Sequence, residues 1–570
     1  MVAERQLKTG QPPGVAKSSA AAEPRADAEP TAAGRGQPAR RRRHSSRGSW
    51  IALVAVVAAL LGSLVGSMPA GLRPPIARAA DPDTVRILSG AGGDLDPAAQ
   101  GDIGSAAISA QLFEGLTAID AQLQTRPALA ASWDFRDGGS TVVFHLRSGV
   151  TFSDGTPITA DDVLRSWFRI IDPDAPSPLV TLIGDVKGAL AYARGDSTDR
   201  SSVGLSVEDG ALVARLTRPA TDFPTIVAGP TFAVVPPGID APAGLAPGAG
   251  FVGSGGYTVT AATDQKTTLT ANERYWAGRP AIATVELVHD IGGRSSVAAF
   301  EAGDLDLADV SPFDATWLAY DDALGPLLRR TDGLSLQYYG FDTSSKPFDD
   351  VRVRQAFARA VDWRRLIALN AAGAATPATG MVPPGIPGRS DTDFLPAHDP
   401  DGARALLADA GYPGGAGFPS VTLLGGGGTD RAFAAEVQKE LGVTVSIELQ
   451  GAGFFDRLAD DPPQIFSMGW IADYPGPYDF LGILLGSGAS NNYGRWSSAP
   501  FDAALADALA ATDPAAARAA FDRAEGIVRD EAPTIPLTYD VGWSLARGGL
   551  LGAYDNGLGI IRMAGLAWDR

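Results

Sequence analysis

Phe144-His-Leu-Arg-Ser-Gly-Val-Thr-Phe-Ser-Asp-Gly-Thr-Pro-Ile-Thr-Ala-Asp-Asp-Val163 changes its hydrophobic period halfway along, and that change sets the fold class. Its leading edge, within Thr141-Val-Val-Phe-His-Leu146, is a β-branched and aromatic run that predicts a strand. Asp154-Gly155 and Pro157 mark the turn that follows. Thr159-Ala-Asp-Asp162 predicts a helix start closed by a side-chain cap. Val163, Leu164, Trp167, Phe168 and Ile171 then fall on one helical face.

The same alternation continues on both sides. Asp349 or Asp350 is placed to cap a helix in which Val353, Ala356, Phe357, Ala360 and Val361 repeat at helical spacing. Asp399-Pro400 opens another, with Ala403, Leu406, Leu407 and Ala410 on one face and Gly411 as its left-handed stop. Two Ala-rich helices follow Pro500 and Pro514. Strands are expected at 85–88, 212–216, 284–288, 421–424 and 443–449, and the Gly/Pro-rich stretches 236–256 and 382–398 read as loops. Strands and helices mixed without a fixed repeat predict an α/β protein, and 490 residues beyond position 80 exceed what one core usually holds.

Taken in order, these segments resemble the family 5 bacterial extracellular solute-binding proteins, the oligopeptide-, dipeptide- and nickel-binding components of ABC importers. The resemblance covers residues 84–545. It rests on Leu95-Asp-Pro97, Gln111-Leu-Phe-Glu-Gly-Leu116, Pro127-Ala-Leu-Ala-Ala-Ser-Trp133 and the opening stretch through Val163. Further on come Asn272-Glu-Arg-Tyr-Trp276, Gly303-Asp-Leu-Asp306, Pro347-Phe-Asp-Asp-Val-Arg-Val-Arg-Gln-Ala356 and Ala403-Arg-Ala-Leu-Leu-Ala-Asp-Ala-Gly-Tyr412. Gly469-Trp-Ile-Ala-Asp-Tyr-Pro475 and Ala532-Pro-Thr-Ile-Pro536 complete the series.

The resemblance implies a bilobal periplasmic-binding-protein fold (type II, cluster C-like) with an extra inserted domain. Lobe I would combine 81–120, 254–336 and 533–570, the inserted domain would be 121–253, and lobe II 337–532. It implies capture of a small solute, a short peptide first among candidates, by a monomer that delivers it to ABC permease subunits. A tethered ligand sensor of the same fold is the alternative. In peptide-binding relatives the aspartate matching Asp473 takes the ligand's α-amine, and the tryptophan matching Trp470 lines a side-chain pocket. Gly469, which leaves room for a backbone approach, and Tyr474 complete the expected ligand-binding set; for Asp473 the competing reading is a cap on the following turn. The sequence departs from the family at Ile465-Phe-Ser-Met468, where an Arg often precedes Gly-Trp, at Asp342, where Asn is usual, and at Gly476, where an acid is familiar. The missing Arg removes a basic partner for a peptide carboxylate, and together the departures count against a peptide and leave cationic or neutral ligands open.

Charge divides the chain. The whole carries −18, residues 1–80 carry +8, and residues 81–570 therefore carry −26. Such a body repels nucleic acid and anionic lipid, so no nucleic-acid partner is expected, and Arg352 and Arg354 read as a solvated helix face. Residues 1–48 read as a disordered basic cytoplasmic segment. An uncharged run from Trp50 to Gly66 makes 49–68 a signal-peptide core or a membrane anchor, with Ala77-Arg-Ala79 as a cleavage site if it is removed. Either way the body lies on the outer face of the cytoplasmic membrane, anchored by 49–68 or released after Ala79.

No enzyme is expected, nor any catalytic residue, cofactor or metal. The chain has no cysteine, and its four histidines (His44, His145, His289, His398) form no metal or triad spacing. There is no Gly-x-Ser-x-Gly elbow and no phosphate-loop lysine motif. No local motif selects the paired carboxylates of a glycoside hydrolase. One Gly-x-Gly-x-x-Gly, at Gly248–Gly253, is followed by strand-like Tyr257-Thr-Val-Thr260 where a dinucleotide site needs a helix.

Overall fold

Thr159 caps the helix Ala160–Ile170 in a complete capping box with Asp162, and the strand Thr141–Leu146 precedes it. The computed structural model describes residues 81–569 except 91–94, 240–249, 372 and 452. The basic segment 1–48 and the hydrophobic segment 49–68 lie outside the described residues. Among the described residues no helix is long and apolar enough to cross a membrane. Asp350 and Asp399 cap Val351–Ala360 and Pro400–Asp409, and Gly411 adopts φ +98° just beyond the second. The glycine motif ending at Gly253 leads into the strand Tyr257–Ala262. Gly253 itself packs so closely on the main chain that a Cβ would lie 2.2 Å from the Leu112 carbonyl oxygen.

One strand, Thr534–Ala546, holds the large sheet together. Its first part pairs antiparallel with Ser335–Phe341 and Ala375–Pro377, and its second part with Leu328–Asp332 and Leu307–Asp309. On one side the order continues through Ile465–Ile471, Val421–Gly425 and Val445–Leu449. On the other it continues through Thr84–Leu88, Thr284–Val288, Lys266–Ala271 and Tyr257–Ala262. A separate antiparallel sheet joins Ala130–Arg136, Thr141–Leu146, Ala211–Arg215 and Leu205–Glu208. Alternate residues of the large sheet feed separate cores. Tyr338, Leu424 and Phe466 pack on one face, and Tyr339, Leu423 and Ile465 on the other.

The motif residues tie these pieces together through buried charge. Glu114 of Gln-Leu-Phe-Glu-Gly-Leu accepts from Tyr275 at 2.5 Å and from Arg562 at 2.7 Å. Asp96 of Leu-Asp-Pro pairs with Arg169 in the helix Ala160–Ile170. Asp306 of Gly-Asp-Leu-Asp is fully buried and accepts the Arg86 N–H at 2.9 Å.

Arg354 corrects the expectation of a solvated helix face. Arg352 does face solvent, paired with Asp350 at 2.6 Å. Arg354 is 5 % exposed. Its guanidinium donates to the carbonyls of Phe348 (2.7 Å), Glu531 (2.7 and 3.0 Å) and Ala532 (3.2 Å). Those last carbonyls belong to the end of the helix Pro514–Glu531, which has no intrahelical donors left for them and closes on Ala532 at φ 46°. A planar fork with five donors fits that cluster, and an ammonium does not. Arg354→Ala is therefore expected to cost about 3 kcal/mol, and Arg352→Ala far less, in urea unfolding of residues 81–570. Equal losses would remove Arg354's structural role.

Candidate functional site

The strand Ile465–Ile471 runs antiparallel to Ser335–Phe341, with Gly469 opposite Gln337 and Trp470 opposite Leu336. Its last tie to the sheet is the Ala472 N–H, which donates to the Leu334 carbonyl at 2.8 Å. The chain then turns through Asp473–Gly476 and enters the helix Pro477–Leu485, with proline in its first turn. This strand–turn–helix return brings Asp479, in the first helical turn, back against the strand end. Trp470 Nε1 donates to Asp479 Oδ2 at 2.9 Å, and the Asp473 N–H donates to the same oxygen at 3.3 Å. One carboxylate thereby holds both the indole and the main chain of Asp473.

Asp479 is fully buried, and its Oδ1 has no hydrogen-bond partner among the described residues. Burial, then the neighbouring charge of Asp473, pushes its carboxyl well above the usual range. Asp473 is half-buried and its carboxylate meets neither a hydrogen-bond donor nor a cationic side chain among the described residues. Burial alone pushes it up to about 6. The cap reading is not realised, because Asp473 contributes its N–H to the turn and keeps its carboxylate free.

The other expected residues take different positions. Trp470 is half-buried, with one edge fixed by Asp479. Gly469 is exposed, and a Cβ there would lie 2.7 Å from the side-chain amide of Gln337. Tyr474 is buried and turned away, its hydroxyl donating to Asp222 Oδ2 at 3.2 Å, and it packs in the apolar core otherwise built from residues 116–234. Burial raises the Asp222 carboxyl, and the Arg218 charge opposes that. Arg218 holds Asp185 with two bonds of 2.8 and 2.6 Å and stands 4.7 Å over the Tyr478 ring. A cavity of 430 Å³ beside it is lined by Arg218, Tyr478, Gly482, Asp502, Leu505 and Leu509 among others, and not by Asp473. Asp342 spends its carboxylate locally, accepting from Ser344 at 2.6 Å and Ser345 at 2.5 Å.

A line of main-chain bonds runs from Ala472 through Leu334 to Gly557, whose carbonyl accepts the Leu334 N–H at 3.0 Å. Gly557 and Gly559 in turn donate to Asp555 Oδ1 at 2.9 and 3.0 Å. Asp555 and Asp309 both sit above the usual carboxylate range, chiefly through burial. Among the described residues no group of three or more His, Cys, Asp or Glu side chains is placed to hold a metal ion. Joined through Asp479, Asp473 and Trp470 set a carboxylate beside an indole, a pairing suited to a cation and to apolar groups beside it. Asp479 was not singled out in the sequence because an acid in a first helical turn already has a local explanation in the helix dipole.

The family model of the bacterial extracellular solute-binding proteins, family 5, matches residues 124–492. A probable deoxycholate-binding periplasmic protein of Escherichia coli strain K12 is 32 % identical over 472 residues, covering 78 % of this chain and 86 % of that protein. An oligopeptide-binding protein of Bacillus subtilis strain 168 is 26 % identical over 474 residues, covering 78 % and 85 %. The solved murein tripeptide binding protein in its unliganded open form superposes with a TM-score of 0.75 over 87 % of this chain and 99 % of that one, at 24 % identity, which gives the fold as that of periplasmic solute-binding proteins.

An ionised carboxylate that the folded chain leaves without a partner is a cost to the empty protein. Asp473→Asn is expected to stabilise the ligand-free protein by about 1–3 kcal/mol at pH 7. The sign follows from a folded value near 6 against an unfolded value of 3.8. The wild-type protein binds more protons than its unfolded chain between those values, so its stability falls as pH rises through them, and the advantage of Asn shrinks by more than half by pH 4.5. Denaturant titrations at pH 4.5 and 7 measure both; no gain at pH 7 would mean that Asp473 has an internal partner.

Proposed function

The chain belongs to the bacterial extracellular solute-binding proteins of family 5, is not an enzyme, and on that premise we propose that it captures a short peptide through its free α-amine. The observation that carries this reading is the unpartnered carboxylate of Asp473 beside the fixed indole of Trp470. A primary ammonium supplies three donors and one positive charge to that carboxylate. Trp470 offers a flat apolar wall that tolerates different first side chains, and exposed Gly469 lets ligand backbone approach the strand.

Lobe I (81–120, 254–336 and 533–570) and lobe II (337–532), with the inserted domain 121–253, close over the ligand by bending where the extended segments 328–341 and 534–546 cross. Binding shifts the open–closed equilibrium by the difference in affinity between the two states. The loaded monomer delivers its peptide to membrane permease subunits driven by ATPases on other chains. The body works outside the cytoplasmic membrane, held by residues 49–68 or released after Ala79. Peptide ligands have support in the oligopeptide-binding relative, and the deoxycholate-binding relative marks how far ligand chemistry ranges among similar chains.

Calorimetric titration of residues 81–570 with trialanine and with its N-acetyl form tests the amine contact. Trialanine is expected to bind and the acetylated peptide to lose at least about 30-fold, with Asp473→Ala losing about 2–5 kcal/mol for the free amine alone. Equal binding of both peptides, or an unaffected Asp473→Ala variant, overturns the proposal.

A further inference from the structure

We infer that Asp479 is a positioning residue that couples solute capture to proton release: through its bonds to Trp470 and to the Asp473 main chain it keeps a second carboxylate beside the first, and the pair carries a proton in the empty site that an incoming ammonium group expels. This rests on the amine-binding reading of Asp473.

The geometry is specific. Asp479 Oδ2 is committed to the Trp470 indole at 2.9 Å and to the Asp473 N–H at 3.3 Å, while Oδ1 is buried with no donor among the described residues. An ionised Asp479 would leave full negative charge on a bare buried oxygen next to a second acid, so its neutral form is favoured. The surroundings do not reverse this. From the neighbouring segment Asp222 adds further negative charge, and the Tyr474 hydroxyl donates to Asp222 and not to the pair. Arg218, the cation on that side, is already held by Asp185 and faces the ring of Tyr478, on the same helix as Asp479. Asp502, packed near Tyr478, is another acid. Nothing among these groups supplies a positive charge to Asp473 or Asp479, so a proton is the pair's own source of neutralisation and the two groups titrate together. Binding exchanges charge for charge: the ligand's ammonium enters, one proton leaves a carboxyl oxygen for solvent, and no bond beyond O–H breaks.

Asp479→Asn keeps an oxygen for the indole and the N–H but removes the second charge. Calorimetry with trialanine in two buffers of different ionisation enthalpy, at pH 6 and pH 8, counts the protons. The wild type is expected to release about half a proton or more per peptide at pH 6 and less at pH 8. Asp479→Asn should lower the pH 6 release to the part that Asp473 itself gives up and bring the pH 8 release close to zero, while changing affinity at pH 8 by less than about tenfold. Binding without proton release in the wild type, or release unchanged in Asp479→Asn, overturns this inference and leaves the amine contact standing. Failure of trialanine to bind removes both. A ligand-free check guards against a merely misfolded variant: Asp479→Asn should gain stability over the wild type as pH rises from 5 to 8, and a loss of stability across that range would show that the carboxylate is ionised and needed as such.

Discussion

The large sheet depends on Thr534–Ala546, thirteen residues whose two edges are hydrogen-bonded to strands from distant parts of the sequence. Its first half belongs to the neighbourhood of Ser335–Phe341 and the candidate site, and its second half to the neighbourhood of Leu307–Asp309 and Thr84–Leu88. Cutting it would split the sheet between Ser335–Phe341 and Leu307–Asp309, which among the described strands pair with each other only through it. A main-chain ladder is stiff along its length and compliant to twist and bend between its paired stretches. Two antiparallel crossovers therefore suit a hinge better than either a loop or a packed helix would. The register slips between Gln337 and Tyr338, opposite Pro536, where the missing proline N–H breaks the ladder.

That same proline explains what the sequence concealed. A proline two residues into an apolar run argues against a central strand, so Thr534–Ala546 was not readable from its pattern. Ser335–Phe341 and residues 465–468 were equally quiet, because they are buried or half-buried on both faces and no polar alternation marks them. Where a single local rule decides, the reading was direct: Thr159, Asp350 and Asp399 cap the expected helices, and Thr141–Leu146 and Thr284–Val288 are strands with the expected ends. Arg354 shows the limit of such rules. Helical spacing places it beside Arg352, but only the folded chain brings the carbonyls of Glu531 and Ala532, 177 and 178 residues away, to its guanidinium.

The motifs that made the chain legible are mostly not the ones that face a ligand. Glu114, Asp96 and Asp306 are buried acids matched to Tyr275 and Arg562, to Arg169, and to the guanidinium groups of Arg86 and Arg547, and each joins segments remote in sequence. Removing one partner of such a set leaves a charge without water or a counter-ion, which is far costlier than losing an exposed pair. A string of short motifs can therefore announce the fold while saying little about the solute. Asp473 differs from all of them in meeting no side-chain partner for its carboxylate among the described residues, and that difference exists only in three dimensions.

An unpartnered half-buried carboxylate would be an expensive ornament. Its cost is set by the same terms that make it useful: little water, a low local dielectric and a neighbouring acid that no cation neutralises. Asp479 fixes the indole and the main chain beside that carboxylate, so the form of the site is tied to one side chain. Among the described residues no cationic side chain meets Asp473. Leaving it anionic moves part of the folding cost into the binding step. A cation would relieve what the described residues leave unbalanced, and would relieve it most where water is excluded.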